Sequence, residues 1–183
     1  MTDLTLVGLC GALRRASTNR LLMREAAHRF GPATFIEADL DLPLYNGDVE
    51  AEGIPAKVQA LADTIASADA VIVATPEYNK GISGVLKNAL DWVSRTDGNP
   101  WRDKPVAIVS AAAGGAGGQR AQNMLRLCLN PFRPLVLPGP EVFVGQTSQK
   151  WDDSGRLNDA TGQKMLDELM GLLRDAAERK SQS

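Results

Sequence analysis

Apolar positions along the chain fall into two alternating patterns, short unbroken runs and stripes of helical period. Leu4 to Cys10 reads as a strand that ends at Gly11. After a polar loop, Ser17 or Thr18 can cap a helix that opens near Asn19, places Leu22, Ala26 and Phe30 on one face, and stops at Gly31-Pro32. Thr34 to Glu37 reads as a second strand, and Leu42 to Gly53 as a loop. Val58, Leu61, Ala62 and Ile65 follow the i, i+3, i+4, i+7 spacing of a second helix. Ala70 to Ala74, apolar throughout and closed by Pro76, has the character of a central strand buried on both faces. A helix follows from near Gly84, with Leu86, Leu90 and Val93 on its apolar face. Val106 to Val109 is another buried strand, and it feeds the glycine loop Gly114 to Gly118. The next helix has Ala121, Met124, Leu125 and Cys128 on its stripe. Leu135 to Leu137 and Val142 to Val144 read as the last strand and its extension. A final helix from about Asp159 to Arg179 turns Met165, Leu166, Leu169, Met170 and Leu173 inward.

Strand and helix in strict alternation mean right-handed crossovers and a parallel sheet covered on both faces. Five strands in this pattern suit the flavodoxin-like α/β three-layer sandwich, with a five-stranded parallel sheet of order 2-1-3-4-5. The length of 183 residues fits one domain, expected to span 1–180, with 181–183 as a disordered tail.

Composition changes the picture mainly by subtraction. A net charge of -2 offers no basic surface for nucleic acid. The two cysteines, Cys10 and Cys128, lie far apart, and His28 is the single histidine. Neither a disulfide framework nor a Cys/His metal cluster fits, and two buried thiols suit a reducing cytoplasm. The N-terminus lacks the basic stretch of a signal peptide. The longest uncharged stretch, Pro105 to Gln119, is shorter than the ~18–20 apolar residues of a membrane span. His28, mid-helix, reads as a surface or partly buried residue. The aspartates Asp152, Asp153 and Asp159 read as a solvated turn, because no glutamate completes a calcium loop. No catalytic side chain and no metal ligand is nominated.

In a sheet of this order, ligands sit at the carboxyl ends of the strands beside the first and third. Three unusual loops arrive there. Gly11-Ala12-Leu13-Arg14, followed by Ser17, Thr18 and Asn19, combines cations, hydroxyls and an amide before a helix N-terminus, where free N–H groups favour an anion such as phosphate. The same residues also fit a capping loop with solvated arginines. No G-x-G-x-x-G follows a strand and no Walker A loop is present, so neither a dinucleotide fingerprint nor a P-loop is involved. The second loop, Thr75 to Gly84, offers Tyr78 as a flat face and Asn79 as donor and acceptor, with Gly81 and Gly84 allowing close backbone approach. Tyr78 as a packed lid is the alternative. The third, Ser110 to Gly118, presents backbone amides that match the edge of a planar heterocycle, or else forms a plain glycine turn. Together the three suggest a phosphorylated planar ligand such as FMN.

Pro76-Glu77-Tyr78-Asn79 followed by Gly84-Val-Leu-Lys-Asn-Ala-Leu-Asp-Trp92 resembles the signature of the NAD(P)H-dependent FMN reductases, including the quinone and chromate reductases. Gly11 to Arg14 with Ser17 and Asn19 is similar to the family's phosphate loop, and Gly114 to Gly118 with Arg120-Ala-Gln122 to its third loop. Trp151 to Leu157 is similar to the segment before the last helix.

The resemblance implies bound FMN, NADPH or NADH as co-substrate, and reduction of a small-molecule acceptor: quinones, free flavin, azo compounds or metal oxyanions. It implies Arg14, Ser17 and Asn19 at the phosphate, Pro76, Glu77, Tyr78 and Asn79 along the isoalloxazine, and Ser110, Gly114 and Gly115 closing the third side. Ala12 departs from the family's usual serine. A lost hydrogen bond to a charged group costs roughly 1.5–3 kcal/mol. Gly81 and Ser83 replace a common Ser and Pro, with an expected effect on loop stiffness. A flavodoxin-type electron carrier that does not oxidise nicotinamide is the alternative function, and a flavin-binding regulatory subunit a third. Val85, Ala89 and Trp92 form a second apolar strip beside Leu86 and Leu90, and with the family's habit this predicts a homodimer or homotetramer.

Overall fold

The computed structural model describes residues 4–181. Strands β1 (Thr5–Cys10), β2 (Thr34–Glu37), β3 (Ala70–Ala74), β4 (Pro105–Ala111), β5 (Leu135–Val136) and β6 (Val142–Val144) alternate with helices α1 (Thr18–Phe30), α2 (Gly47–Ala51), α3 (Ala56–Ser67), α4 (Gly84–Val93), α5 (Gln119–Leu129) and α6 (Ala160–Ser181). The sheet runs β2-β1-β3-β4-β5, and every pairing is parallel. That is the order expected from the sequence. The fifth position is filled in two instalments: β5 pairs with the start of β4 through Pro105↔Leu135, and β6 with its end through Val109↔Val142. Pro138 and Pro140 lie between them. Proline has no N–H to give a ladder, so the strand breaks there and resumes.

Successive strand residues feed opposite cores, as the two-residue period of a strand requires. Ala70, Ile72 and Ala74 of β3 pack on the side of α1 and α6, together with Leu22, Met23, Leu166, Met170 and Leu173. Val71 and Val73 face the other way, against Leu61, Ile65, Leu86, Leu90 and Leu125 of α3, α4 and α5. Each fully buried leucine contributes about 1.5–3 kcal/mol.

Four expectations change. The segment read as a loop from Leu42 to Gly53 contains the short helix α2. Its signal was Asn46, whose side chain accepts the N–H of Asp48; none of its residues is buried, so no apolar stripe announced it. The strip Val85/Ala89/Trp92 is not an open face. Trp92 is fully buried, donates from Nε1 to Pro43 O at 2.8 Å, and meets the Tyr45 ring edge-on at 5.0 Å. The 42–46 segment folds over α4 and covers it, so that strip gives no support to association. On α5, Met124 is exposed, while Gln122 and Leu129 are buried. The last helix continues through Ser181, into the expected tail. Residues 182–183 lie outside the described residues.

A buried carboxylate fixes α1 to the C-terminal layer. Glu25, 3% exposed, accepts from Arg29 at 2.6 Å and from Arg156 at 2.7 Å, and Arg29 reaches Asp167 of α6 at 2.6 Å. A buried charge is tolerated when partnered in this way.

Candidate functional site

The loops after β1, β3 and β4 meet at the carboxyl ends of their strands around a cleft of about 210 Å³. Ala12, Arg14, Ser17, Thr18, Asn19, Pro76, Glu77 and Tyr78 line it, all eight named from the sequence. Of the other residues named there, Gly11, Leu13, Asn79, Ser110, Gly114 and Gly115 stand outside the lining, and Ala111, Ala112, Ala113 and Thr147 complete it.

The first loop is held rather than free. Gly11 N donates to Ala74 O at 2.9 Å, and Ser83 Oγ donates to Gly11 O at 2.6 Å while capping α4 by accepting from Leu86 N. A side chain at position 11 would come within 2.9 Å of the Pro76 ring and of Ser83 Oγ, so glycine is what lets the two loops touch. Ser83, which stands where relatives commonly have proline, supplies this bridge. Arg20, which the sequence did not single out, braces the loop from outside. It donates to Arg14 O at 3.0 Å and to Ala12 O at 3.3 Å while its Nε meets Glu37 at 2.5 Å.

Ser17 is the N-cap of α1, yet its side chain makes no capping bond to the helix. The first-turn N–H groups of a helix have no partner inside it. Facing the cleft, they combine with the Thr18 hydroxyl and the exposed Arg14, whose side chain has no partner among the described residues, into a site for an anion. Asn19 is committed differently from the expectation. Its Nδ2 donates to Ala111 O at 2.8 Å and its Oδ1 accepts from Ala111 N at 2.9 Å, so the amide copies a peptide and ties α1 to the end of β4. Ser110 is likewise internal. Its buried hydroxyl donates to Gly117 O and accepts from Gln122 Nε2, both at 2.7 Å.

The second loop closes in a tight hairpin. Tyr78 and Gly81 exchange both backbone bonds, at 3.0 and 2.9 Å, across Asn79 (φ 50°) and Lys80 (φ 67°). Two successive positive φ values define a primed turn, which asparagine favours at its first position. Asn79 therefore sits at the turn tip, away from the cleft lining. Gly81 packs against α5, where a Cβ would lie 2.9 Å from Met124 Sδ and displace that flexible side chain, and Gly84 opens α4 with free space around it. Tyr78 stands 61% exposed at the cleft rim.

The third loop leaves its backbone open. Among the described residues nothing accepts from the N–H groups of residues 113–116, and a Cβ at Gly114 or Gly115 would meet nothing within 4 Å. Thr147, in the loop after β6, reaches the cleft because that loop abuts the third: Gln146 N donates to Gly114 O at 3.4 Å. The signal for it was positional, a polar run directly after an apolar strand at the same end of the sheet.

The charged side chains lining the cleft are Arg14 and Glu77. Glu77 accepts from Arg120 N and from Arg120 Nη1, each at 3.2 Å. Close by, burial pushes the Cys10 thiol up, and its S–H donates weakly to Ala12 O, so the thiol stays protonated. His28 is exposed on α1, and among the described residues no cluster of His, Cys, Asp or Glu could hold a metal ion. No helix among them is long and apolar enough to cross a membrane. The arrangement supplies an anion site at a helix end, a flat rim and a row of free amides, and hardly any acid–base equipment.

The model of the family described as NADPH-dependent FMN reductase matches residues 4–149. An NAD(P)H-dependent FMN reductase of Pseudomonas aeruginosa is 40% identical over 173 residues, covering 93% of this chain and 94% of that one. A quinone reductase of Escherichia coli is 40% identical over 172 residues, covering 87% and 91%. Among solved structures, the flavoenzyme NAD(P)H:(acceptor) oxidoreductase FerB of Paracoccus denitrificans superimposes with a TM-score of 0.86 at 32% identity, covering 96% of this chain and 97% of that one.

Proposed function

Since this chain belongs to the NADPH-dependent FMN reductase family, we propose that it is an FMN-dependent oxidoreductase that carries reducing equivalents from NADPH or NADH to a quinone, and that the cleft at the strand ends is its FMN site. The observation that carries the site is the uncapped N-terminus of α1 opening, beside Arg14, into the same cleft as Ala113, the residue at which the free amides of the third loop begin. These two donor sets suit the two ends of one ligand, a phosphate and a heterocycle edge. FMN, once bound, supplies the hydride chemistry itself.

The chain's part is binding and orientation. The first-turn N–H groups of α1, the Ser17 and Thr18 hydroxyls and Arg14 would hold the phosphate. Pro76, Glu77, Tyr78 and Ala111 to Ala113 would line the ring, with the N–H groups of residues 113–116, Gly114 and Gly115 among them, offered to its polar edge. Gly11, Leu13, Asn19, Asn79 and Ser110 would act by shaping these loops. With the relatives named as reductases, the electron-carrier alternative loses its ground. Free flavin, azo compounds and metal oxyanions remain further acceptors to try.

Association as a homodimer or homotetramer belongs to the same proposal. Its support is now the exposed pair Tyr78 and Met124, the latter packed on Gly81 of the second loop, in place of the Trp92 strip. Two free thiols, one buried and one half-buried, fit a cytoplasmic setting. The deciding experiment reconstitutes the chain with FMN, adds NADPH or NADH without oxygen, and follows the flavin absorption band. Bleaching, reversed by a quinone, is the expected result, and an unchanged band sinks the proposal. Light scattering of the same sample reads the oligomeric state, where a monomer with FMN bound overturns the association.

A further inference from the structure

Arg20 is the third residue of α1, and its guanidinium is turned back onto the loop that precedes the helix. It donates to Ala12 O at 3.3 Å and to Arg14 O at 3.0 Å, carbonyls two residues apart, while Glu37 holds its Nε at 2.5 Å. Glu37 ends β2 and accepts also from Arg24, one turn further along α1, at 2.8 and 3.0 Å. The Arg20 side chain is 19% exposed, so its fork is fixed between the loop, the helix and the edge of the sheet. Two arginines share this one carboxylate, which leaves a net positive charge behind the loop and favours an anion in front of it.

A trans peptide sets its C=O and N–H on opposite sides of the chain. The peptides that follow Ala12 and Arg14 are both trans. With their carbonyls gripped by Arg20, the N–H groups of Leu13 and Arg15 point away from it. Among the described residues nothing accepts from either N–H. Ala12 and Arg14 line the cleft and Arg20 does not, so the loop stands between the guanidinium and the cleft. N–H groups turned from the one are turned toward the other. Ala12, Leu13 and Ala16 bring no side-chain donor, so beside its arginines the loop has only these amides to offer an anion.

Resting on the reading of the cleft as the FMN site, we propose that Arg20, seated on Glu37, is a positioning residue for the phosphate. It touches no ligand. It fixes two peptide planes so that Leu13 N–H and Arg15 N–H join the first-turn N–H groups of α1 in one concave set of donors, an arrangement of oriented amides that binds anions. Preference for the phosphorylated flavin therefore depends on an arginine outside the cleft and on the sheet-edge carboxylate that aims it.

The test loads the nitrogen-15-labelled chain with FMN or with riboflavin and compares the amide resonances of Leu13 and Arg15. In the parent both should lie downfield with FMN, as a hydrogen bond to phosphate requires. Arg20→Gln should bind FMN about tenfold or more weakly, the worth of a hydrogen bond to a charged group, with riboflavin affinity unchanged and the downfield difference reduced. Glu37→Gln, which loosens the guanidinium without altering the loop, should act in the same sense. Arg20→Lys keeps the charge without the planar fork and should not restore affinity. The proposal is overturned if Leu13 and Arg15 are indifferent to the phosphate, or if any of the three variants binds FMN as tightly as the parent. It is overturned equally if the variants lose FMN and riboflavin alike, as a loosened fold would. A parent chain that binds neither flavin sinks the flavin site itself, a failure visible before any variant is made.

Discussion

Glu77 and Arg120 join the second and third loops across the cleft mouth: one carboxylate accepts both the backbone N–H that opens α5 and the guanidinium of the same residue, each at 3.2 Å. A carboxylate at a helix N-terminus is favoured by the helix dipole, and the arginine adds a partly exposed ion pair. Glu77→Gln keeps an acceptor for the N–H and discards the charge. The expected stability loss is under about 1 kcal/mol. The expected rise in the FMN dissociation constant is several-fold, because the loop carrying Pro76 and Tyr78 loses an anchor. Thermal melts of the apoprotein and a titration of flavin fluorescence read the two effects separately, and an unchanged FMN affinity would show that the anchor is dispensable.

Arg14 gives a sharper test of where the phosphate goes. Arg14→Ala should weaken FMN by about tenfold or more, the worth of a charge-assisted hydrogen bond. Riboflavin, which has no phosphate, should bind the variant and the parent alike. Equal losses for both ligands would move Arg14 to the ring end. Ala12→Ser, which restores a hydroxyl to the same loop, should act in the opposite direction and tighten FMN alone.

Replacing Asn19 by alanine takes away the partner of both the N–H and the C=O of Ala111 in a buried place, since the Asn19 amide bonds to each. The cost is about 1–3 kcal/mol for each unsatisfied group, so denaturant unfolding should show a loss of at least about 2 kcal/mol. A loss confined to FMN affinity, with stability preserved, would return Asn19 to the role of a direct phosphate ligand.

Lys104 carries a pH signature at the other end of the sheet. Its amine, 4% exposed, donates to Ala66 O at 2.9 Å and to Ala68 O, and burial, helped by the nearby charge of Lys180, lowers its pKa from 10.5 to about 8. Between those values the unfolded chain holds a proton that the folded chain does not. The lysine's contribution to stability is therefore greatest above the unfolded pKa, and it is lost as pH falls toward 8. Comparing unfolding free energies of the parent and Lys104→Met, the difference should move in the parent's favour from pH 8 to pH 10. Parallel curves would contradict the lowered pKa.

The sheet order was legible because Ala70 to Ala74 and Val106 to Val109 are apolar without interruption, a pattern that only a strand covered on both faces needs. The three loops were legible because their glycines, cations and amides lie directly after such runs. What escaped depended on long-range packing. Trp92 looked like an exposed strip because nothing local shows that Pro43 will accept its N–H. Asn19 and Ser110 looked like ligand donors because their partners, Ala111 and Gln122, are fixed only once α1, β4 and α5 are assembled. The lining alanines 111–113 escaped because they contribute backbone and small surface, which no side-chain motif records.

The last helix gives the fold a boundary that the family match does not. That match stops at residue 149, yet α6 supplies Leu166, Leu169, Met170 and Leu173 to the same core as β1 and β3, and Asp167 to the ion pairs around Glu25. A gene fragment ending where the recognisable signature ends would leave one side of the sheet uncovered and α1 without its outer support. The helix whose N-terminus opens into the cleft is thus held in place by a helix that lies beyond the match to the family model.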